Sequence, residues 1–324
     1  MSENTPIEQK MYQLRLYQSH PLNVKIAMTK RKIHEWYRHY GGNVYVAFSG
    51  GKDSTVLLNL VSELYPDVPA VFADTGNELD SVLEFVRSYG DRVTWVKPKM
   101  TFDEVVEKYG YPVISKEQAQ RISEVRSTKS DKLRDIRMNG YPSGSGKISE
   151  KWKYVIDAPF GVTSKCCKYL KCSPSSQYEK ATGRMPFVGT MAEESRLRLQ
   201  SYLKFGCNAF ESKNNKASRP IMFWKEQDVL AFIKQNEIPI AGCYGELQPE
   251  GCDLKCSGEQ RTGCKYCLFG IHRHEGENRI QRLARVEPES YRHCIEDLRY
   301  DIVMDFLGVD WKPYDFNKTK GTSK

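Results

Sequence analysis

The sequence predicts an α/β fold built on a doubly wound parallel sheet, with a helical segment before it and a cysteine-rich region after it. Three observations carry that expectation. Strand and helix patterns alternate as βαβαβ between residues 44 and 109, a glycine-rich turn joins the first strand to its helix, and six of the ten cysteines fall in two clusters. A chain of 324 residues gives a prior of about two folding units. With 40% hydrophobic residues it can bury a sizeable core, which excludes disorder and a coiled coil.

The first strand is Val44-Tyr-Val-Ala-Phe48, a β-branched and aromatic run bounded by glycines. It follows a basic, aromatic-rich helical stretch over residues 10–40, which Pro21 must interrupt. A helix-period pattern over 55–64 comes next, then a strand at 68–73, a helix at 80–89, a strand at 93–96 and a helix at 102–109. In such sheets ligands bind where loops leave the carboxyl ends of the strands, so the loops after Phe48 and Ala73 are placed for contact. Residues 115–153 change character, with ten Lys or Arg against five Asp or Glu and a glycine- and serine-rich run at 140–146, and read as a basic insertion or mobile lid. Regular structure returns with a strand at 185–189 and a helix at 226–235. The expected organisation is a helical segment over 1–42, a nucleotide-binding α/β domain over 43–240 and a cysteine-rich basic region over 241–324.

The charge balance is 49 Lys and Arg against 41 Asp and Glu, a net +8, which is mildly basic. The opening residues lack the apolar stretch of a signal peptide, and no run approaches the ~20 apolar residues of a membrane span. A cytoplasmic location without membrane partners is expected. Reducing compartments keep thiols free, so the cysteines point to metal binding or catalysis before disulfides.

Ser49-Gly-Gly-Lys-Asp-Ser54 sits between strand and helix, where unpaired N–H groups and the helix dipole favour an anion. Gly50 and Gly51 let backbone approach phosphate oxygens, Lys52 brings a mobile charge, Ser49 and Ser54 donate hydroxyls, and Asp53 can orient a lysine or a metal. The spacing is not that of the Walker loop, because an aspartate separates lysine from serine. Asp74-Thr75-Gly76, at the end of the second strand, is either a capped glycine turn or a contact to ribose or magnesium.

Cysteine spacing leaves two ligand sets open. Cys252, Cys256, Cys264 and Cys267 would make a local zinc site, whereas Cys166 and Cys167 could join Cys264 and Cys267 across a long intervening stretch. Cys172, Cys207, Cys243 and Cys294 read as isolated thiols.

The hexapeptide from Ser49 resembles the PP-loop of the adenine nucleotide alpha hydrolase superfamily, whose members usually cleave ATP between the α and β phosphates. Lys165-Cys-Cys-Lys-Tyr-Leu-Lys171 with Pro174 resembles the sulfonucleotide reductases, which reduce adenylylsulfate or phosphoadenylylsulfate. Gly189 to Ser195, followed by Arg196 and Arg198, is similar to their Gly-x-Arg-x-x-x-Ser element, and Pro220 to Trp224 with Asp228 and Ile238-Pro239 to their proline–tryptophan helix. The likeness spans roughly residues 40 to 270. It implies nucleotide contacts at Ser49 to Ser54, Asp74 to Gly76, Gly189 and Arg196, with Lys52 and Asp53 catalytic. It also implies a 4Fe-4S cluster on Cys166, Cys167, Cys264 and Cys267, with zinc as the alternative.

Two departures redirect the implied chemistry. The reductases carry a C-terminal Glu-Cys-Gly-x-His tail, absent from residues 315–324, and Met191 stands where their element has arginine. Closer likeness is to reductase-like proteins of phage and mobile elements and to the sulfur-transfer ATPases of DNA phosphorothioation systems, notably in Arg261-Thr-Gly-Cys-Lys-Tyr-Cys-Leu-Phe-Gly-Ile-His272. That resemblance implies an ATP pyrophosphatase that uses ATP and magnesium to activate DNA or tRNA for sulfur transfer. A cysteine desulfurase or other sulfur donor would be its partner, and an oligomer is compatible with it. The alternatives are a sulfonucleotide reductase and a nucleotide sensor within a DNA-modification or phage-defence complex. Arg261, Lys265, Arg273, Arg279, Arg282 and Arg285, with His272, His274, Tyr266 and Phe269, could track a phosphate backbone or form a solvated face diluted by Glu275, Glu277 and Glu287.

Overall fold

Four parallel strands carry the architecture. In chain order the strands are β1 Val44–Ala47, β2 Ala70–Ala73, β3 Val93–Val96, β4 Val113–Ile114, β5 Met185–Val188, β6 Leu247–Glu250, β7 Asp253–Cys256 and β8 Leu268–Phe269. The computed structural model describes residues 6–212, 216–273 and 276–315. His274, Glu275 and the tail from residue 316, named above, lie outside the described residues. Two compact units emerge, each drawn from separated stretches of chain rather than from consecutive thirds.

The first unit comprises residues 1–74, 78–97 and 174–262. Its sheet has the order β3-β2-β1-β5, all parallel, with Val46 opposite Ala70 on one side of β1 and Phe187 on the other. The chain steps outward from β1 to β2 to β3 and then returns to β1's free side as β5. The winding direction therefore reverses at β1, and the carboxyl end of that strand is the switch point where ligands bind. Both faces are covered, which is why the strands are continuous apolar runs rather than alternating ones. Trp36, Trp224, Phe72, Phe187, Leu57 and Leu60 are all buried in this core. Pro21 separates helices Ile7–Ser19 and Leu22–His39. Lys25 of the second helix reaches the carboxylate of Asp228 with bonds of 2.7 and 2.8 Å. The hairpin β6–β7 also belongs to this unit.

The second unit comprises residues 75–77, 98–173 and 263–324. A short parallel pair, β4 with β8, joins its two main segments, with Val113 opposite Leu268. Ile122, Ile148, Val155, Ile280, Tyr300 and Met304 are buried in its core. Residues 115–153 carry regular structure within the second unit. They form helices Lys116–Ser127 and Asp131–Asn139, capped by Ser115 and Ser130. Arg126 fixes the first of these helices by donating to the carbonyls of Ile156, Ala158 and Phe160. The glycine run closes as an ordered turn, Tyr141 N–H to the Ser145 carbonyl at 2.8 Å. No helix among the described residues is long and apolar enough to cross a membrane.

Candidate functional site

The first site stands at the switch point. Helix Lys52–Leu64 begins at Gly51, whose position offers no capping side chain, so its first-turn N–H groups have no partner within the helix. Gly50 takes φ +68°, which lets the loop turn sharply out of β1. Hydroxyls tie the loop to itself: Ser54 donates to the Gly51 carbonyl at 2.8 Å and lies 3.0 Å from the Ser49 hydroxyl. Gly189, at the end of β5, packs on this loop so closely that a Cβ there would lie 2.9 Å from the Asp53 carbonyl oxygen.

Lys52 is buried, 3% exposed, and surrounded by oxygen. Its ammonium donates to the Gln260 carbonyl at 2.5 Å and pairs with Glu226 at 3.0 Å, while its backbone N–H donates to the Tyr244 hydroxyl at 3.1 Å. Tyr244 in turn lies 3.0 Å from the Thr262 hydroxyl. Burial pushes the Asp53 carboxyl up, with Lys52 opposing it, Glu226 adding to it and Arg261 and Arg198 pulling it down. Its Oδ1 is shielded from water and without a hydrogen-bond partner. Such an orphaned carboxylate oxygen fits a hard divalent cation.

Sequence reasoning located the loop and Gly189 but missed its surroundings. Arg196 is exposed, whereas Arg198, two residues on, feels Asp53 and has its proton affinity lowered by burial and by Arg261. Burial and the neighbouring Arg198 charge lower the proton affinity of Arg219, so the two guanidiniums lie within each other's field. Met191 is buried, 2% exposed, and brings no charge. Tyr244, Gln260 and Thr262 had no local signal, since they lie about 200 residues from the loop they contact. Asp74 ends β2 in the first unit, 3.8 Å from the Lys97 ammonium, while Thr75 and Gly76 fall in the second unit, where the Thr75 hydroxyl accepts from Asn77 N–H at 3.2 Å.

The second site is the cysteine quartet, all within the second unit. Cys166 and Cys167 lead into one π-helical turn, Lys168–Cys172, a wider pitch often found at functional positions. Cys264 and Cys267 share a turn, Cys267 N–H to the Cys264 carbonyl at 3.1 Å, held by Arg279 donating to the Cys267 carbonyl at 3.0 Å. The thiols form one electrostatic neighbourhood. Cys166 donates to Cys167, which pushes its own proton affinity up and holds Cys167 down to about 6 against burial, with Lys116 and Lys171 assisting. Burial raises Cys267, with Cys264 and Cys167 adding to it against Arg279. No three His, Cys, Asp or Glu side chains among the described residues are grouped tightly enough to grip an ion. By chemistry alone the donor set suits a thiolate-bound metal centre, since four cysteines that feel one another's charge include one already acidified.

The local zinc tetrad fares differently. Cys256 is a buried thiol of β7 in the first unit and Cys252 is exposed there, whereas Cys264 and Cys267 belong to the second unit. The basic stripe is largely neutralised from within. Lys265 pairs with Glu287 at 2.9 Å with both side chains buried, and Arg282 and Arg285 both reach Glu277.

A glycine turn at the switch point, a buried lysine and an orphaned carboxylate define an α/β protein of the PP-loop class. Comparison with known proteins agrees. The phosphoadenosine phosphosulfate reductase domain model matches residues 43–267, and the chain belongs to that family of enzymes. An adenosine 5'-phosphosulfate reductase of Halalkalibacterium halodurans is 33% identical over 263 residues, covering 80% of this chain and 86% of that protein. One from Staphylococcus haemolyticus is 29% identical over 229 residues, covering 68% and 74%. Among solved structures, a phosphoadenylyl-sulfate reductase from Candida auris in complex with phosphate aligns over 75% of this chain and 92% of its own, at 16% identity and a TM-score of 0.40.

Proposed function

We propose that this chain binds ATP with magnesium at the PP-loop, splits it between the α and β phosphates, and uses the adenylate to drive sulfur transfer onto a nucleic acid, DNA or tRNA. The observation that supports this reading is the orphaned Asp53 oxygen within the fields of Lys52, Arg261 and Arg198, with Glu226 opposing them. A triphosphate needs both cationic side chains and a carboxylate for its metal ion, whereas a sulfonucleotide needs no metal ligand.

An acceptor oxygen attacks the α-phosphorus, the bond from that phosphorus to the bridging oxygen breaks, and pyrophosphate departs with the electron pair. Lys52 releases the Gln260 carbonyl and meets the charge growing on the leaving phosphates, while the Gly50 and Gly51 backbone lets them approach. Arg198 and Arg219 hold further phosphate oxygens in place of the charge absent at Met191. Asp53 would hold magnesium, which neutralises phosphate charge. The adenylated oxygen is then a good leaving group: the terminal sulfur of a persulfide donor, such as one charged by a cysteine desulfurase, displaces AMP, and a second thiolate of the donor cleaves the resulting S–S bond, leaving the sulfur on the acceptor and a disulfide on the donor. Cys166, Cys167, Cys264 and Cys267 would hold a 4Fe-4S cluster, which supplies sulfide and a soft binding site for the incoming sulfur; zinc would take the same four thiols.

The test is anaerobic incubation with ATP and magnesium, with and without DNA or tRNA, following pyrophosphate and AMP. Lys52→Ala is expected to abolish pyrophosphate release, and near-normal turnover in that variant would sink the mechanism. Iron and acid-labile sulfide analysis of the same preparation tests the cluster; zinc at one per chain without iron retires it. A second reading, reduction of adenylylsulfate, is favoured by the name of the relatives that cover most of the chain. Sulfite release from adenylylsulfate with a thiol reductant, and no pyrophosphate from ATP, would establish it instead.

A further inference from the structure

Tyr109 and Tyr169 stack in the second unit with ring centroids 5.1 Å apart and planes 8° from parallel, and their hydroxyls share a bond of 2.9 Å. Three lysines surround the pair: Lys165 lies 4.7 Å and Lys108 5.6 Å from the Tyr109 ring, and Lys168 lies 5.9 Å from the Tyr169 ring. All three are exposed, and none joins an ion pair among the described residues. The nearby acids are mostly committed: Glu104 caps its own helix through Thr101 and Asp103 faces His293, which leaves Glu107 in that helix's last turn.

A protein that merely needed solubility would not stack two tyrosines inside a ring of lysines. The stack and its hydroxyl bond hold both rings in place, so little entropy is lost when a ligand docks. The ammonium groups resting on the outer ring faces can swing to phosphates while the vacated faces accept bases. An acidic polypeptide would use the charge but leave the ring faces idle. We propose that the Tyr109–Tyr169 pair with Lys108, Lys165 and Lys168 is a docking surface for single-stranded nucleic acid. This deepens the reading above, on which it rests, because Lys165 immediately precedes Cys166-Cys167 and a strand held here runs beside the thiol pair.

The experiment uses the full chain and a fluorescein-labelled oligodeoxythymidylate of about 20 nucleotides, followed by anisotropy between about 50 and 200 mM salt. Lys165→Glu with Lys168→Glu is expected to weaken binding at least tenfold and to reduce the salt slope by about 2. Tyr109→Leu should weaken it about tenfold at unchanged slope, while Tyr109→Phe retains binding. ATP affinity of these surface variants stays at the wild-type value, which reports an intact fold. Wild-type affinity in both the lysine and the leucine variants overturns the proposal. So does a preference for duplex, or equal displacement by polyglutamate, which would point to an acidic protein partner. If the wild type binds the oligonucleotide through this surface but never releases pyrophosphate, the proposed reaction fails while the docking surface stands.

Discussion

Gly50→Ala separates two reasons for a glycine in the phosphate loop. Its φ of +68° puts an L-residue in the left-handed region, which costs about 1–2 kcal/mol. A Cβ would also sit 2.7 Å from Val82 Cγ1 and 2.8 Å from Val86 Cγ2. Ordinary contact begins near 3.4 Å, so more than half an ångström must be found in two buried, β-branched side chains with little rotamer freedom. Such overpacking costs about 1–3 kcal/mol, for a sum of about 2–5 kcal/mol. Gly76→Ala supplies the comparison, since Gly76 has φ +72° and open space around it and should cost the backbone strain alone. Urea unfolding of both variants, with Val82→Ala alone and combined with Gly50→Ala, measures the packing share as a coupling of about 1 kcal/mol or more. ATP affinity by calorimetry should fall at least about tenfold in Gly50→Ala as the first-turn N–H groups tilt. Equal costs at Gly50 and Gly76, or zero coupling to Val82, would refute the reasoning.

Glu226→Gln removes the counter-ion of a lysine that is 3% exposed, so unliganded stability should drop by about 1–2 kcal/mol, discounted for the partly exposed carboxylate. ATP should bind the same variant more tightly, because phosphate no longer competes with that carboxylate; a weaker ATP complex contradicts the competition. In protein stripped of metal, iodoacetamide should alkylate Cys167 with a midpoint near pH 6, well before Cys207, whose buried thiol is pushed up to about 12. A midpoint near the ordinary ~8.5 would remove the case for an acidified thiol at the quartet. Burial opposes a charge on His293, yet bonds to Asp297 at 2.8 Å and Asp103 at 3.2 Å raise its proton affinity. Its contribution is complete below the unfolded value of ~6.5 and lost as pH rises through the higher folded value, so His293→Ala should flatten the stability profile as pH rises above ~6.5. A profile with unchanged slope assigns that dependence to another group.

What could be read from residues alone was whatever is decided within a few residues. Helices Phe102–Tyr109 and Glu226–Gln235 and strand Val93–Val96 lie where their periodicity places them. The phosphate loop was legible because strand, glycine turn and helix are contiguous, and the geometry of a helix start is local chemistry. The helices within residues 115–153 were not legible because composition reports charge but not its partners, and Arg126 finds three carbonyls more than 25 residues away. Arg198 rather than Arg196 approaches Asp53 because two residues along a helix rotate a side chain by about 200° to the opposite face. Lys265 looked like one charge of a nucleic-acid stripe until folding buried it against Glu287. The oxygens around Lys52 come from Tyr244, Gln260 and Glu226, and no spacing rule reaches across that much chain. Local sequence thus determined the elements and the anion-binding turn, because backbone propensity and helix-end chemistry act at short range. Tertiary packing alone decided which charges meet, which are neutralised and which carboxylate oxygen is left for a ligand, because burial and ion pairing depend on distance in space.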